Sequence, residues 1–503
     1  MKPFLNELVA CKGIDLHSQY GFNLSDRFRW IFCQLEILRH CLPASVRRTL
    51  KELPESLDET YERILKEIVK PNRGLARRVL QCLVVANRPL RVSELAEVLT
   101  VDLDDDSEGI PRLNANWRWE DQEQALLIAC SSLISIVEAG DVDSDAGSDI
   151  DQDIETAVVE DGCSRVVQFS HFSVKEFLTS SRLSTCSEEV SDFRIDLENA
   201  HTTLAQACLG VLLQTHDEID GNTSNDHPLA EYAAKHWTTH AQFGEVSSRV
   251  QKGIESLFDA GKPHFKAWLT LYDIDTRPSY PSTFHCFAQD VKSPTVPLYY
   301  AALCGFHDLV ELLIINYPQD VNADGGFYMR PLIAALAGKH FRTADSLRRS
   351  GAVPHVRGNF KSFPLHSAAN FEKVEAVRKL IEYGADVDAG DEDGWTPLSW
   401  ASRGDHFKDG SVLRLLLKCG ANVNARADDD GFTPLHRASK NGALEVVRLL
   451  LEHGADVEAV NKDGKTSLQI VGKTKYRKVD QGRCDEIKKL LVEHGAKRKH
   501  KSI

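Results

Sequence analysis

A leucine preceded by Pro or Ser recurs at Leu298, Leu332, Leu365, Leu398, Leu435 and Leu468, at intervals of 34, 33, 33, 37 and 33 residues. A period held this long constrains the fold more than any composition does. Each unit is one supersecondary element that cannot bury its apolar face alone, so successive units must stack into a one-dimensional array with a continuous core.

Two units show the local grammar nearly complete: Gly394-Trp395-Thr396-Pro397-Leu398, and Gly431-Phe432-Thr433-Pro434-Leu435-His436-Arg437-Ala438. Thr396 and Thr433 suit the N-cap, where a hydroxyl accepts an orphan N–H, and Pro397 and Pro434 suit the first helical position. Leu435 and Ala438 then face inward. A turn at Asn441-Gly442 leads into a second helix predicted over Leu444–Glu452, whose Val446, Val447, Leu450 and Leu451 face the core and which Gly454 stops. Gly351, Gly384, Gly420 and Gly495 share that slot, where the chain turns left-handed at low cost only with glycine. The segments after them, such as Ala385-Asp386-Val387, Ala421-Asn422-Val423 and Ala455-Asp456-Val457, read as short extended arms leading to a projecting turn.

This helix–turn–helix–finger pattern resembles the ankyrin repeat over about 293–496. The resemblance implies six repeats starting near 293, 327, 360, 393, 430 and 463, a C-terminal α-solenoid with a concave face of first helices, and no catalysis by the repeats themselves. Repeats one and two, with Val296-Pro297 and Arg330-Pro331, lose the capping hydroxyl, at about 1 kcal/mol each. Repeat one also has Tyr317 in the glycine slot. Repeat six has Thr466-Ser467 and an insertion around 475–483, as an atypical terminal unit would. Repeat four carries an extension over 403–411.

Partner contacts in such arrays fall on the fingertips and the starts of the first helices. Those slots hold Glu392, Asp393, Trp395 and Arg403, then Asp429, Asp430, Phe432, Lys440 and Asn441, then Lys462, Asp463 and Lys465. Trp395 and Phe432 admit two placements: a solvent-facing aromatic patch of the kind that binding hot spots use, or rings packed across their own hairpins. Binding is expected to centre on 395–465, where repeats four and five keep both caps and stops.

The rest of the chain, 503 residues with 42% apolar and 27% charged, is ordinary for globular domains, and its length suggests roughly three units. Apolar spacing predicts a helix from Phe28 to Cys41, another from Ser56 to about Val69 opened by a Ser56/Glu59 capping box, a third over 73–86, a short one from a Ser93 cap through Leu99, and one over 122–130. β-prone runs at Leu133–Val137 and Val166–Phe169 flank the segment 138–161, whose ten acidic residues and lack of Lys or Arg account for most of the net charge of −14. This segment is expected to be a disordered insertion. Helices followed by a hairpin suggest a winged-helix unit.

Leu53-Pro54-Glu55-Ser56-Leu57-Asp58-Glu59-Thr60-Tyr61, Arg88-Pro89-Leu90 and Phe169-Ser170-His171-Phe172-Ser173-Val174-Lys175-Glu176-Phe177-Leu178 resemble the winged-helix segment, first named from a GPI inositol-deacylase, that follows the NACHT domain of fungal NACHT-ankyrin (NLR-like) proteins. The fold class expected is therefore mainly α: an uncertain segment 1–26, a helix at 27–50 resembling the end of a NACHT module, a winged-helix domain with a small β-hairpin at 51–185, a helical linker at 186–292, the ankyrin solenoid at 293–496 and a basic tail at 497–503. His236-Trp237 within 228–240, and 265–275, resemble the linker of those proteins. Only 26 residues precede Arg27 and they hold no Walker A loop, so the expectation is a sensor arm without its nucleotide-binding engine. Gly472-Lys473-Thr474 resembles the end of a phosphate loop, but Ser467 stands where its first glycine belongs.

The expected function is a non-catalytic adaptor that binds another protein. A nucleic-acid-associated winged helix and a truncated fragment of a NACHT NTPase are the alternatives. Against the first, the candidate recognition helix 93–100 carries Glu94 and Glu97 and no basic residue. Against an enzyme, no G-x-S-x-G elbow or HExxH motif occurs, and His171 between Ser170 and Ser173 reads as a structural residue at a helix start. No cofactor, metal, membrane or small-molecule substrate is expected. Twelve cysteines without CxxC pairs suggest reduced thiols. The expected location is the cytoplasm, with Lys497-Arg498-Lys499-His500-Lys501 raising the nucleus as the alternative.

Overall fold

The computed structural model describes residues 56–102, 110–130, 133–138, 165–214, 227–275, 296–326, 328, 330–354, 364–370, 373–403, 410–428, 430–473 and 480–496. The expected helix at Phe28–Cys41, nearly all of the acidic segment, Asp429 and the basic tail lie outside the described residues. The chain divides into two compact units, Met1–Ile274 and Asp275–Ile503.

In the first unit, α1 (Leu57–Glu67) opens where Ser56 leaves the helical region and its hydroxyl accepts the Glu59 N–H at 3.2 Å, the serine half of the predicted capping box. It is followed by α2 (Arg73–Val85), β1 (Leu90–Arg91) and α3 (Val92–Val98). The expected cap at Ser93 is displaced: the chain is already helical at Val92, and the first turn is closed by the Glu94 carboxylate, which accepts the Arg91 N–H at 2.7 Å. A two-stranded pair that the sequence did not suggest, β2 (Val101–Asp102) and β3 (Arg112–Leu113), comes next, and then α4 (Gln122–Cys130). Strands β4 (Ile134–Glu138) and β5 (Arg165–Phe169) pair antiparallel with Ile134 opposite Phe169, and β1 adds to the other side of β5 with Leu90 opposite Val167. The sheet order is β1-β5-β4.

The helix α5 (Phe172–Thr179) starts at His171, whose ring accepts the Ser173 N–H at 3.3 Å, and the Ser173 hydroxyl meets Tyr61 on α1 at 2.9 Å. His171 thus holds a helix end. Beyond it lie α6 (Leu197–Leu212), α7 (Ala230–Ala241) and α8 (His264–Leu271), with shorter helices at Glu188–Ser191, Val246–Arg249 and Gln251–Leu257. Helix α6 is the spine of this region, packed on both α2 and α7. It carries Gly210 in its interior because a Cβ there would stand 2.8 Å from the Val101 side chain on β2. Trp237 and Trp268 meet edge to face at 5.3 Å, and the Trp268 indole donates to the Ala234 carbonyl at 3.0 Å.

The two glutamates of α3 are buried. Glu94, 1% exposed, grips the Arg88 guanidinium with bonds of 2.6 and 2.8 Å. Glu97, 4% exposed, accepts the Leu229 N–H at 2.7 Å and faces His227 and Arg118 at 3.2 and 3.3 Å. Their partners lie ahead of α3, in the segment before α4 and at the start of α7, so α3 braces its neighbours through charge-assisted bonds.

The second unit is a succession of helix pairs: α9 (Pro297–Cys304) and α10 (His307–Asn316), α11 (Pro331–Ala337) and α12 (Phe341–Arg349), α13 (Pro364–Asn370) and α14 (Val374–Glu382), α15 (Pro397–Ala401) and α16 (Ser411–Lys418), α17 (Pro434–Asn441) and α18 (Leu444–Glu452), α19 (Ser467–Ile470) and α20 (Gln481–Glu493). The leucines that defined the period are its core: Leu298, Leu332, Leu365, Leu398 and Leu435 are at most 1% exposed, and only Leu468, in the terminal repeat, is half-buried. The second helices of repeats two to six end identically. Gly351, Gly384, Gly420, Gly454 and Gly495 have φ between 82° and 103°. The next alanine in each case (Ala352, Ala385, Ala421, Ala455, Ala496) donates to a carbonyl five residues back at 2.9–3.0 Å.

Repeat one, with Tyr317 in that slot, ends differently, running into a 3₁₀ turn at Pro318–Asn322. As the sequence implied, neither Val296 nor Arg330 supplies a side-chain cap. In repeat six Thr466 is extended and its N–H donates to Gln469 Oε1 at 3.2 Å, so a side chain closes its first turn. The finger of repeat two is closed by a residue outside the motif. Asp275, 8% exposed, accepts the Tyr299 hydroxyl at 2.9 Å, and the same Tyr299 oxygen accepts the Tyr328 N–H at 2.9 Å.

Candidate interaction surface

The fingers of repeats four, five and six are short hairpins closed across their bases by backbone bonds, Asp391 N–H to Trp395 O, Ala427 N–H to Phe432 O and Asn461 N–H to Lys465 O, all 3.0 Å. They are also joined to each other. The Asp428 N–H donates to Asp393 O at 2.8 Å, and the Lys462 N–H to Asp430 O at 3.0 Å. Gly394 makes the first junction possible, since φ is 75° and a Cβ would stand 2.7 Å from the Asp428 backbone nitrogen. Histidines secure the fingers to the preceding first helices: His366 Nε2 lies 2.8 Å from Trp395 O, and His436 Nε2 lies 3.1 Å from Lys465 O. The Thr433 N–H donates to His436 Nδ1, so the ring proton sits on Nε2 and points at the Lys465 carbonyl. Burial pushes the His436 pKa down and favours that neutral ring.

Asp391 organises the first of these fingers. One carboxylate oxygen accepts the Trp395 N–H at 2.8 Å and the Asp393 N–H at 3.1 Å, and the other accepts the Trp400 indole N–H at 2.8 Å. The carboxylate is 8% exposed.

Of the two placements open to Trp395 and Phe432, the solvent-facing one does not occur. The rings are 6% and 5% exposed, and they meet each other edge to face at 6.4 Å. Together with Ala427 and Ile470 they form one cluster, against which Trp400 packs. The solvent-facing patch is replaced by a buried aromatic seam between repeats, because the cluster draws Trp395, Phe432 and Ile470 from three successive repeats.

What covers the seam is cationic. The Arg437 guanidinium lies 3.6 Å from the centroid of Trp395 and 5.8 Å from that of Phe432. Lys440 Nζ lies 4.9 Å over Phe432, and Arg403 lies 5.6 Å over Trp400. These are cation–π distances. Arg403 is exposed, and Arg437 and Lys440 are half-buried. Asn441 joins the helix ends by donating to the Arg403 carbonyl at 2.9 Å.

The other expected residues lie on the fingers. Glu392 and Asp393 are exposed at the first tip. Asp430 is half-buried and accepts the Phe432 N–H at 3.0 Å. Lys462, Asp463 and Lys465 are exposed, with Asp463 and Lys465 paired at 3.1 Å and the Lys462 ammonium on the Asp428 carbonyl. Sequence reading missed Arg437, Asp391, Trp400 and Lys473. A signal for one of them was present: aligned on Thr396, Thr433 and Thr466, the seventh residue onward is Arg403, Lys440 and Lys473, a cation in three successive repeats.

Comparison with known proteins finds the same kind of repeat. Family models for ankyrin repeats match residues 331–427 (three copies) and 416–471 (many copies). The chain is 30% identical over 317 residues to the azaphilone pigments biosynthesis cluster protein L of Monascus ruber, covering 60% of this chain and 61% of that protein. That share exceeds the two-fifths occupied by the repeats, so the likeness extends outside them. A putative E3 ubiquitin-protein ligase, XBAT34 of Arabidopsis thaliana, is 40% identical over 107 residues, 21% of this chain and 28% of that one. The chain thus spans less than two thirds of the length of these relatives. Among solved structures, the ankyrin repeat domain of Bcl-3 is 26% identical, with 41% of this chain and 89% of that chain covered and a TM-score of 0.36. The C-terminal part of this chain carries ankyrin repeats.

Proposed function

We propose that this chain is a non-catalytic adaptor that holds a protein ligand on the first helices and fingers of repeats four to six. The observation that carries the reading is the joined set of fingers: backbone bonds from Asp428 to Asp393 and from Lys462 to Asp430 make three hairpins one preformed ledge beside the first helices. A preformed surface loses little entropy on binding. The N-terminal unit is read as a winged-helix base of the kind found in fungal NLR-like proteins. Its order of two helices, strand, helix, two-stranded pair, helix and paired strands, with β5 between β1 and β4, supports that reading. The cytoplasm is the proposed location.

A protein ligand is favoured over DNA as the partner of this base. Helix α3 buries both its glutamates, and α4, the next helix, has Glu123 and no basic residue. The test is a selection of displayed protein fragments against the whole chain, followed by hydrogen-exchange mapping of the complexes. Protection over 391–473 is the expected result. Binders that leave those segments unchanged, or generic duplex held at low salt with protection of 92–130, would refute it.

A further inference from the structure

We propose that the partner segment bound by repeats four to six is acidic, and that it lies across the C-terminal ends of the first helices on a row of cations mounted on the aromatic seam. The inference rests on the protein-binding reading above and adds the chemistry of the ligand. Three observations carry it. First, Arg403, Lys440 and Lys473 occupy one position in three consecutive repeats, and Arg437 adds a fourth cation one turn earlier in repeat five. Second, Arg437, Lys440 and Arg403 each ride on a ring, at 3.6, 4.9 and 5.6 Å from Trp395, Phe432 and Trp400, so part of the cost of ordering long side chains is met before a ligand arrives. Third, the backbone at both ends of the row is tied to repeat five: Asn441 donates to the Arg403 carbonyl at 2.9 Å, and the Gly472 N–H, next to Lys473, donates to the Ser439 carbonyl at 3.1 Å. The rings therefore act as platforms, and the cations above them meet the ligand.

Spacing and charge narrow the partner further. Packed helices lie about 8–10 Å apart, and a chain in the polyproline II conformation advances about 3.1 Å per residue and brings every third side chain back to one edge. A segment of that conformation running along the array thus meets a new cation roughly every third residue. At the opposite ends of the same helices the fingers present the exposed carboxylates of Asp393, Asp428 and Asp463. A uniformly charged polyanion such as single-stranded nucleic acid is repelled there, whereas a peptide places its acids on one edge only.

The test is fluorescence anisotropy with the full chain and labelled peptides of Ser and Ala carrying Glu, Gln or Lys at every third position, beside a labelled single-stranded oligonucleotide. The Glu peptide is expected to bind at least roughly ten-fold more tightly than the Gln peptide at about 50 mM salt, and to weaken as salt rises. The triple variant Arg403→Gln, Lys440→Gln, Lys473→Gln is expected to remove that preference. Lys473→Glu alone, at an exposed position where folding is not at stake, should weaken the Glu peptide several-fold. Arg378→Glu, on the second helix of repeat three, should leave it unchanged. Equal binding of the Glu and Gln peptides, indifference to the variants, or tighter binding of the oligonucleotide would overturn the proposal. If displayed fragments still protect 391–473 in that case, only the acidic partner is wrong. If nothing protects those segments, the protein-binding reading falls with it.

Discussion

His240 makes the stability of the N-terminal unit fall with acid, by an amount the structure sets. The ring is fully buried between α6 and α7. Its Nε2 meets the Tyr232 hydroxyl at 2.9 Å and its Nδ1 meets His201 Nδ1 at 2.9 Å, while the same Tyr232 oxygen accepts the Asn87 N–H at 3.2 Å. The chain of bonds is satisfied when Tyr232 donates to Nε2 and Nδ1–H donates to His201, which requires a neutral His240. Burial, reinforced by His201 and His236, lowers its pKa from 6.5 to about 3. As pH falls below 6.5 the unfolded chain takes up a proton that the folded chain refuses, so stability is full above the unfolded value and declines down to the folded one. Between about pH 7.5 and pH 5 that linkage amounts to about 2 kcal/mol from this one group.

Hydrogen exchange, corrected for the intrinsic pH dependence of amide exchange, reads this locally as the opening free energy of 197–212 and 230–241. The wild-type protein should lose about 2 kcal/mol more over that interval than a His240→Gln variant. Because His201 titrates in both proteins, the difference isolates His240. Equal slopes in the two proteins would refute the argument, whatever the variant's absolute stability.

Further outcomes follow from the fingers, the caps and the α3 brace. Gly394→Ala combines a left-handed φ with a clash against the Asp428 backbone, whereas Gly351→Ala meets open space. The first should cost about 2–3 kcal/mol and the second about 1 kcal/mol in denaturant unfolding, and equal losses would argue against the finger junction. Asp391→Ala leaves the buried Trp395 N–H and the Trp400 indole without their carboxylate partner and should cost about 2–4 kcal/mol, measured by thermal unfolding of the repeat unit. Thr433→Ala should cost about 1 kcal/mol as a lost cap, read in the same assay. Glu97→Ala strands the buried Leu229 N–H; protection at the start of 230–241 should fall by about 2 kcal/mol or more, and unchanged protection there would contradict the brace.

The residues that made the repeats legible act over short distances along the chain. Thr433 caps a helix whose first residue is Pro434, Gly454 turns left-handed because of its own φ, and the Ala455 N–H returns to Leu450 five positions back. Such local chemistry leaves its mark in a single sequence, and for the same reason the strands at 134–138 and 165–169 and the helix 122–130 were readable. The fate of Trp395 was not. Its neighbours are Phe432, Arg437 and Ile470, which stand far along the chain and become neighbours only when repeats stack. The same holds for α3, where Glu94 and Glu97 read as surface charges until Arg88, Arg118 and Leu229 close around them, and for Asp275, which lies outside the motif yet closes a finger of the array. The sequence by itself determined that this chain builds a stack of helical repeats with fingers, since period, caps and stops are written in each unit. The tertiary structure alone decided which surface those repeats offer, since burial of a ring or a carboxylate depends on what another repeat or helix brings against it.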